Sequence, residues 1–180
     1  AARMIAKSGA KPKRTILFIG FAGEEFGLLG AQAWVKAHKD KLPKIANLFN
    51  RDGGPEPPVG ISVPQAMYDD FVKISEPIQK IRPDYPFEVK VREPRKRPTR
   101  MGGTDASVFA IEGVPTLGFT TEDFKGYDFD YGEIWHTERD LYTKNIPEYQ
   151  EHTATVTAII ALGVANLDKQ LSREGLYTEE

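Results

Sequence analysis

Cysteine is absent from the 180-residue chain, which excludes disulfide frameworks, thiolate zinc sites and cysteine nucleophiles. Long apolar runs are absent as well. The longest, Thr15–Gly23 and Ala158–Leu167, fall far short of the roughly 20 residues that a membrane-spanning helix needs. The chain also lacks an excess of basic charge, because 24 Lys and Arg residues face 26 Asp and Glu residues and give a net charge of −2. A general nucleic-acid-binding role is therefore not expected.

The composition predicts one globular domain over residues 1–180. Hydrophobic residues make up 40% of the chain, and a chain of this length can bury roughly 70% of the surface that its unfolded form exposes. The sequence begins at Ala1 without a methionine, and Ala1–Lys7 has the pattern of a helix already under way. We therefore expect a truncated domain that belongs to a longer protein.

Four short segments have the pattern of β-strands, three from their apolar residues and Phe87–Arg92 from its alternation. They are Thr15–Ile19, Ile45–Asn50, Phe87–Arg92 and Val114–Phe119. The first and last are apolar almost throughout, which is typical of strands buried on both faces of a parallel sheet.

Helical spacing of apolar residues alternates with these runs. It predicts helices over Glu24–His38, Met67–Ile81 (interrupted by Pro77) and Ala106–Ile111. A long final helix should start near Asn145, where a capping residue, an early proline and an acid follow one another. Strands alternating with helices predict an α/β domain with a mostly parallel or mixed central sheet flanked by helices.

Two adjacent acids, Glu24 and Glu25, follow the first predicted strand. Ligands of open α/β sheets bind outside the carboxyl ends of the strands. Because two neighbouring carboxylates repel each other, such a pair favours a nearby cation or helix dipole. One carboxylate could bind a metal ion while its neighbour takes a proton from water. An ordinary acidic first turn of a helix is the alternative.

Asp52 and His136 are further candidates. Asp52 ends the second predicted strand before two glycines, where Asp also commonly forms turns. Of the three histidines, His136 alone is predicted in a loop, and neutral imidazole is a common zinc ligand. We expect His38 in the solvated tail of a helix and His152 at the edge of the core.

Two other acids have possible roles at the same site. Asp105 begins a predicted helix, where it either caps the helix or contributes to a pocket. Asp140 lies four residues after His136 and could hold the imidazole in place, although a capping or exposed role is equally compatible with its position.

The segment Lys90–Arg100 contains six cations and one acid, Glu93. Because it leads into Gly102 and Asp105, we expect a loop that borders the pocket. It could favour substrates with acidic groups, or it could be a solvated surface loop.

The order of these features resembles the co-catalytic zinc aminopeptidases, a family that includes leucyl-type aminopeptidases, glutamate carboxypeptidases and glutaminyl cyclases. The resemblance extends from about Lys13 to about Leu167. Its most specific part runs from Arg14 through Gly23-Glu24-Glu25-Phe26-Gly27-Leu28-Leu29-Gly30.

The resemblance implies a role for each main candidate. Glu24 would be the general base that activates the metal-bound water and later protonates the leaving amine. Glu25 and His136 would bind one zinc ion, and Asp52 would bind the other. The two zinc ions would polarise the scissile carbonyl and anchor the free amino terminus of a peptide.

The resemblance also places Asp105 in the pocket and Asp140 behind the ligand histidine. Family members carry two further ligands, a histidine of a His-x-Asp motif and a bridging aspartate, in earlier sequence. Residues Ala1–Arg14 contain no Asp, Glu or His. The chain should therefore be inactive alone, bind zinc poorly and associate with another chain through uncovered sheet surface.

Two other functions stay open at this point. One is a binding or scaffold domain of the same fold without catalysis. The other is an acyl transferase of the glutaminyl cyclase type, which uses one zinc ion. The resemblance also favours an exported bacterial protein.

Overall fold

The computed structural model describes residues 1–178, and a small mixed sheet packed against helices organises them. Apart from short 3₁₀ turns, the helices of this part of the chain are α1 (Ala2–Lys7), α2 (Leu29–Ala37), α3 (Tyr68–Ile81), α4 (Ala106–Ile111), α5 (Tyr131–Ile134) and α6 (Pro147–Asn166). Among the described residues, no helix is both long enough and apolar enough to cross a lipid bilayer.

The sheet has three strands in the order β2–β1–β3. The central strand β1 (Pro58–Val63) pairs in parallel with β2 (Glu88–Val91) and antiparallel with β3 (Phe119–Thr121). In the register of these pairs Ile61 lies opposite Val89 on one side and Phe119 on the other. The predicted α/β class with a mixed sheet flanked by helices is therefore confirmed.

The larger hydrophobic core lies between the sheet and two helices. Phe71 of α3 and Ile160 of α6 are completely buried and belong to one cluster with Ile61 of β1. Burying a side chain of this size stabilises the fold by about 1.5–3 kcal/mol. A second cluster joins α2 to α4 through Val35 and Phe109.

The predicted helices are confirmed, with one late start. Helix α3 continues through Pro77 without a break, because its buried face outweighs the hydrogen bond that proline removes. The predicted helix over 24–38 begins only at Leu29, since a loop with left-handed residues precedes it.

The prediction of a buried strand at residues 15–19 is wrong. This segment is extended, but it belongs to no sheet in the described residues, and Leu17 and Phe18 are 63% and 51% exposed. A β-branched, apolar sequence favours an extended backbone, but a ladder forms only where a neighbouring strand offers its own N–H and C=O groups.

Residues 45–50 do not form the predicted strand either. They are half-buried and attached locally, because the Leu48 N–H donates to the Pro115 carbonyl at 2.9 Å. Of the strand predicted at residues 114–119, only Phe119 lies in β3, although Val114 and Leu117 are buried as expected. Sequence analysis also missed β1, because the proline at its start is unfavourable in a buried strand.

The carboxyl end of α6 holds the start of the extended segment 15–21. The Arg14 N–H donates to the Ala165 carbonyl at 3.1 Å, and its guanidinium donates to the Leu167 carbonyl at 2.5 Å. The Lys13 ammonium pairs with Asp168 at 2.6 Å. A cationic residue thus satisfies carbonyl groups that the end of a helix leaves unpaired.

Candidate metal centre

A tight loop presents Glu24 and Glu25. Three glycines in and after this loop lie at positions that other residues would occupy only with strain. Gly23 and Gly27 have positive φ angles of 68° and 103°, which glycine adopts at little cost. At Gly30 an added Cβ would lie 2.7 Å from the backbone N and O of Ala22, so only glycine allows this close approach. Main-chain hydrogen bonds from Gly27 and Leu28 to the Glu24 carbonyl, at 2.9 and 2.8 Å, close the loop.

His136 and Glu25 meet across this site. The Nε2 atom of His136 lies 3.0 Å from Oε1 of Glu25, although 111 residues separate them in the chain. Both side chains are exposed, and the Trp135 ring stacks on the imidazole with centroids 4.4 Å apart. His136 has a left-handed backbone with φ of 57°, a strained conformation that proteins often keep at functional sites.

Helix α5 positions His136. Asp130 accepts a hydrogen bond from the Gly132 N–H at 2.8 Å and so caps the helix. Thr137 donates its hydroxyl to the Ile134 carbonyl at 3.0 Å just after the helix ends. These short-range contacts hold the chain on both sides of the one-turn helix that precedes His136.

Asp52 and Glu24 both line an open cleft of about 1930 Å³. Asp52 follows the half-buried segment 45–50 and is itself exposed. The ring of Tyr131 lies 3.8 Å from the position that a Cβ would take at Gly53. The structure therefore places this acid close to the helix that carries His136.

The electrostatic environment of Glu24 shows how close the acids are. Partial burial raises its pKa, and the negative charges of Asp52, Glu25 and Asp105 raise the pKa further, in that order. The nearby His136 lowers it. A carboxyl group whose pKa is raised by its surroundings is suited to take and return a proton.

Asp105 lies at the start of α4 with only 8% of its surface exposed. Its side chain does not cap the helix, and its Oδ1 atom is buried without a hydrogen-bond partner. Burial, followed by the negative charge of Asp52, raises the pKa of Asp105. The side chain therefore does not take the capping role, and Asp105 is not among the residues that line the cleft.

The available ligands fit part of a zinc site. A carboxylate and an imidazole in direct contact are ligands that zinc accepts, whereas a catalytic zinc normally takes three protein ligands. In residues 1–178 no three His, Asp or Glu side chains converge closely enough to hold a metal ion. The structure therefore brings together two groups of a kind that zinc accepts, Glu25 and His136, and Asp52 is not in contact with them.

Asp140 and the basic segment lie farther from these acids. Asp140 lines the cleft and is exposed, while the hydrogen bond of the His136 imidazole goes to Glu25. The expectation that residues 90–100 border the pocket is wrong, because the cleft reaches Gly103 and Thr104 but none of those cations. The segment is held instead against residues 176–178.

Sequence reasoning missed two residues that support the site. Gln32 donates to the Gly27 carbonyl at 2.6 Å and fastens the glutamate loop to α2, and nothing in the sequence pattern indicates this contact. Trp135 stacks on His136, and its position next to the histidine was the available signal. The remaining histidines are structural. His152 is completely buried, and His38 is half-buried against Trp34.

Comparison with known proteins identifies the family. Carboxypeptidase Q of Mus musculus is 24% identical over 178 residues, covering 96% of this chain and 34% of the relative. A probable zinc metalloprotease of Pyrenophora tritici-repentis is 50% identical over 42 residues, covering 23% of this chain and 10% of the relative. The crystal structure of a peptidase M28 precursor from Shewanella amazonensis superposes with a TM-score of 0.72 and 26% identity, covering 95% of this chain and 36% of that one.

The chain spans about a third of the length of the curated relatives that it matches along its whole length. The sequence model of peptidase family M28 matches residues 1–160. This match covers most of the chain and includes all the site residues described above. The chain therefore belongs to peptidase family M28, a family of metallopeptidases.

Proposed function

We propose that the protein to which this chain belongs is a zinc-dependent exopeptidase that removes residues from the amino terminus of peptides. The observation that supports this proposal is that Glu24, Glu25, Asp52 and His136 line one cleft, in which the Glu25 carboxylate and the His136 imidazole lie 3.0 Å apart. The similarity to a probable zinc metalloprotease supports zinc as the metal.

In this proposal Glu25 and His136 hold one zinc ion and Asp52 contributes to a second. The metal supplies a Lewis acid that polarises the scissile carbonyl. Glu24 takes a proton from the attacking water and delivers it to the leaving amine, as its raised pKa allows. Asp105 adds negative charge behind Glu24, and Asp140 lies at the rim of the cleft.

The charge of the site favours the amino terminus over the carboxyl terminus. Asp52, Glu25 and Asp105 all lie near enough to act on Glu24. Glu24 and Asp105 are not zinc ligands in this proposal, so their carboxylates remain to attract the ammonium of a free amino terminus. The relatives named carboxypeptidase Q support the competing hypothesis, in which residues are removed from the carboxyl terminus. A site for a free carboxylate needs a cation, and Arg51 in the cleft lining is one candidate.

The complete protein, rather than residues 1–180 alone, is the material for the test. Hydrolysis of an aminoacyl-anilide should stop after dialysis against a chelator and return with zinc. A matched peptide with an acylated amino terminus and a free carboxyl terminus should not be cleaved. Cleavage of the acylated peptide alone would assign the carboxypeptidase activity. Cyclisation of an amino-terminal glutaminyl peptide would assign the acyl transferase, and no turnover of any substrate would favour a binding domain.

Variants separate the roles of the two glutamates. Glu24→Gln should reduce kcat by about 10²–10⁴-fold, because the amide cannot accept the proton, and should leave the zinc content unchanged. Glu25→Gln and His136→Ala should lower the zinc content itself. Glu138→Gln, an exposed acid close to His136 in sequence, is the matched control. If Glu24→Gln keeps more than about a tenth of the wild-type kcat, the assignment of the base is wrong.

We further propose that the complete protein is exported. The description of the Shewanella amazonensis structure as a precursor supports this proposal. Fractionation of the producing cells would test it.

A further inference from the structure

Within residues 1–178, a group of cations that does not line the cleft has no acidic partner. We call it the basic surface, and its members are Arg92, Arg95, Lys96, Arg97 and Arg100. In the described part of the chain, every ion pair joins other residues, so none of these five has a carboxylate within 4.0 Å. Lys90 is excluded from the surface because it pairs with Glu88 at 3.0 Å. Like charges held together without counter-charges cost free energy.

The fold nevertheless fixes the backbone of the basic surface. Arg95 pairs with Tyr177 in a parallel bridge, in which the Thr178 N–H donates to the Arg95 carbonyl at 2.9 Å. The Arg97 guanidinium donates to the Ile111 carbonyl at 3.0 Å and so holds the end of α4. These contacts fix the backbone at Arg95 and the side chain of Arg97, while both residues stay exposed.

Arg92 connects the basic surface to the sheet. Its guanidinium is half-buried, with hydrogen bonds to the carbonyls of Glu93 at 3.0 Å and Leu176 at 3.5 Å. Its Nε atom is buried without a partner. Burial is the main cause that lowers the pKa of Arg92, and the positive charge of Arg95 lowers it further. An anion beside these two guanidinium groups would relieve that repulsion.

The sheet edge next to the basic surface is free. Strand β2 is an outer strand in the described sheet and runs directly into Arg92. The Arg92 N–H bonds to the Val63 carbonyl of the central strand at 2.8 Å. Because main-chain groups alternate in direction along a strand, those of Val91 point away from the sheet. An extended peptide can add a strand at such an edge.

We propose that the β2 edge and the basic surface together bind an extended, acidic segment of polypeptide. The main-chain groups of β2 would pair with the backbone of the ligand, which a polysaccharide or a nucleic acid lacks. The guanidinium groups match carboxylates in shape and charge. None of the five cations lines the cleft, so this site is separate from the candidate metal centre and does not depend on the proposed peptidase activity.

A fluorescent peptide of alternating aspartate and valine, with blocked ends, is the probe for anisotropy titrations. It should bind at about 50 mM salt and much more weakly at about 500 mM, because salt screens exposed charges. A peptide with asparagine in place of aspartate should bind at least about tenfold more weakly. The same aspartate peptide with alternate backbone nitrogens methylated should also lose affinity, because it cannot complete a strand.

Variants locate the site. Arg95→Ala, Lys96→Ala and Arg100→Ala in one protein should raise the Kd about tenfold, since each exposed ion pair contributes modestly. The matched control, Arg3→Ala with Lys7→Ala and Lys36→Ala, removes three exposed cations elsewhere and should change the Kd less than about twofold.

Equal affinity of the methylated and unmethylated peptides would overturn the strand-addition part of the proposal. Equal losses in the two triple variants would overturn the location. If a heparin fragment binds through the basic surface and the peptide does not bind, the ligand is a sulfated polysaccharide and the proposed polypeptide is wrong. Neither titration measures catalysis, so a negative binding result would not count against the proposed peptidase activity.

Discussion

Replacing His152 by phenylalanine should remove much of the protein's sensitivity to acid. The His152 ring is completely buried and stacks on Tyr85 with centroids 4.0 Å apart. Its Nε2 atom lies 3.1 Å from the Pro58 carbonyl, which can only accept, so Nε2 carries the proton. The Nδ1 atom is buried without a partner. A second proton would therefore have no acceptor.

The charged groups around this ring oppose its protonation. Burial is the main cause that lowers the pKa of His152, and Arg82 and Lys125 lower it further. Both cations lie over the Tyr85 ring, at 4.4 and 4.5 Å from its centroid. The hydrogen bond to Pro58 and the charge of Asp84 act in the opposite direction, and Asp84 pairs with both cations.

The loss of stability on acidification is set by comparison with the unfolded chain, in which histidine titrates near pH 6.5. Because the folded pKa is lowered, stability is full above about pH 6.5 and falls as the pH decreases, since the unfolded state then binds more protons. If the folded ring stays neutral down to about pH 5, the loss relative to about pH 7.5 is at most about 2 kcal/mol.

Urea denaturation of the wild type and of His152→Phe at both pH values measures this effect. At neutral pH the variant should be less stable by about 1–3 kcal/mol, because the Pro58 carbonyl loses its donor. On acidification it should lose up to about 2 kcal/mol less than the wild type, as carboxylates titrate equally in both proteins. His38→Phe, at a half-buried histidine on another helix, is the control. Identical pH dependence of the wild type and His152→Phe would refute this reasoning.

Three further predictions concern the glutamate loop, the metal and the exposed extended segment. Gly30→Ala should destabilise the fold by about 1–3 kcal/mol in urea titrations, because the new methyl group would press on the Ala22 backbone at 2.7 Å; an unchanged midpoint would mean that the loop moves freely. Calorimetric titration of residues 1–180 alone should show no stoichiometric binding of two zinc ions at micromolar affinity, since only the carboxylate–imidazole pair is assembled; such binding would point to ligands from another chain. Sedimentation analysis should show concentration-dependent association, reduced by Leu17→Lys with Phe18→Lys at the exposed segment; a monomer at all concentrations would remove the proposed contact.

The sequence predicted elements with strong local signals. Helices α3, α4 and α6 appear where the spacing of apolar residues indicated them, and α6 begins at the predicted early proline, although none of the three has a side-chain cap. Strands were predicted less well, because a strand depends on a partner that its own residues do not specify. Residues 15–19 have a typical buried-strand sequence and remain exposed. Pro58–Val63 has an unfavourable start and is the centre of the sheet.

The candidate site was predictable to a different degree at each residue. The adjacent acids indicated a site at Glu24 and Glu25, and the structure brings Glu25 against the predicted His136, but the loop that carries the two acids was predicted as helix. The burial of Asp105 was not predictable, because a capping residue and a pocket acid have the same local sequence. The prediction that residues 90–100 border the pocket was wrong. These residues contact residues 176–178 at the far end of the chain, and their own sequence does not indicate that contact.

The attachment of Arg14 to the end of α6 has a consequence for the order of folding. The hydrogen-bonded groups are about 150 residues apart in the chain, and closing a loop of that length costs about 4 kcal/mol of chain entropy. The contacts between α3, α6 and the sheet join somewhat closer segments and bury the larger hydrophobic core, which offsets the cost of closing their loops. The sheet and these helices should consequently form first, and the segment that leads to the glutamate loop should dock last. In refolding experiments with hydrogen-exchange labelling, amides of α6 should gain protection before the Arg14 amide does.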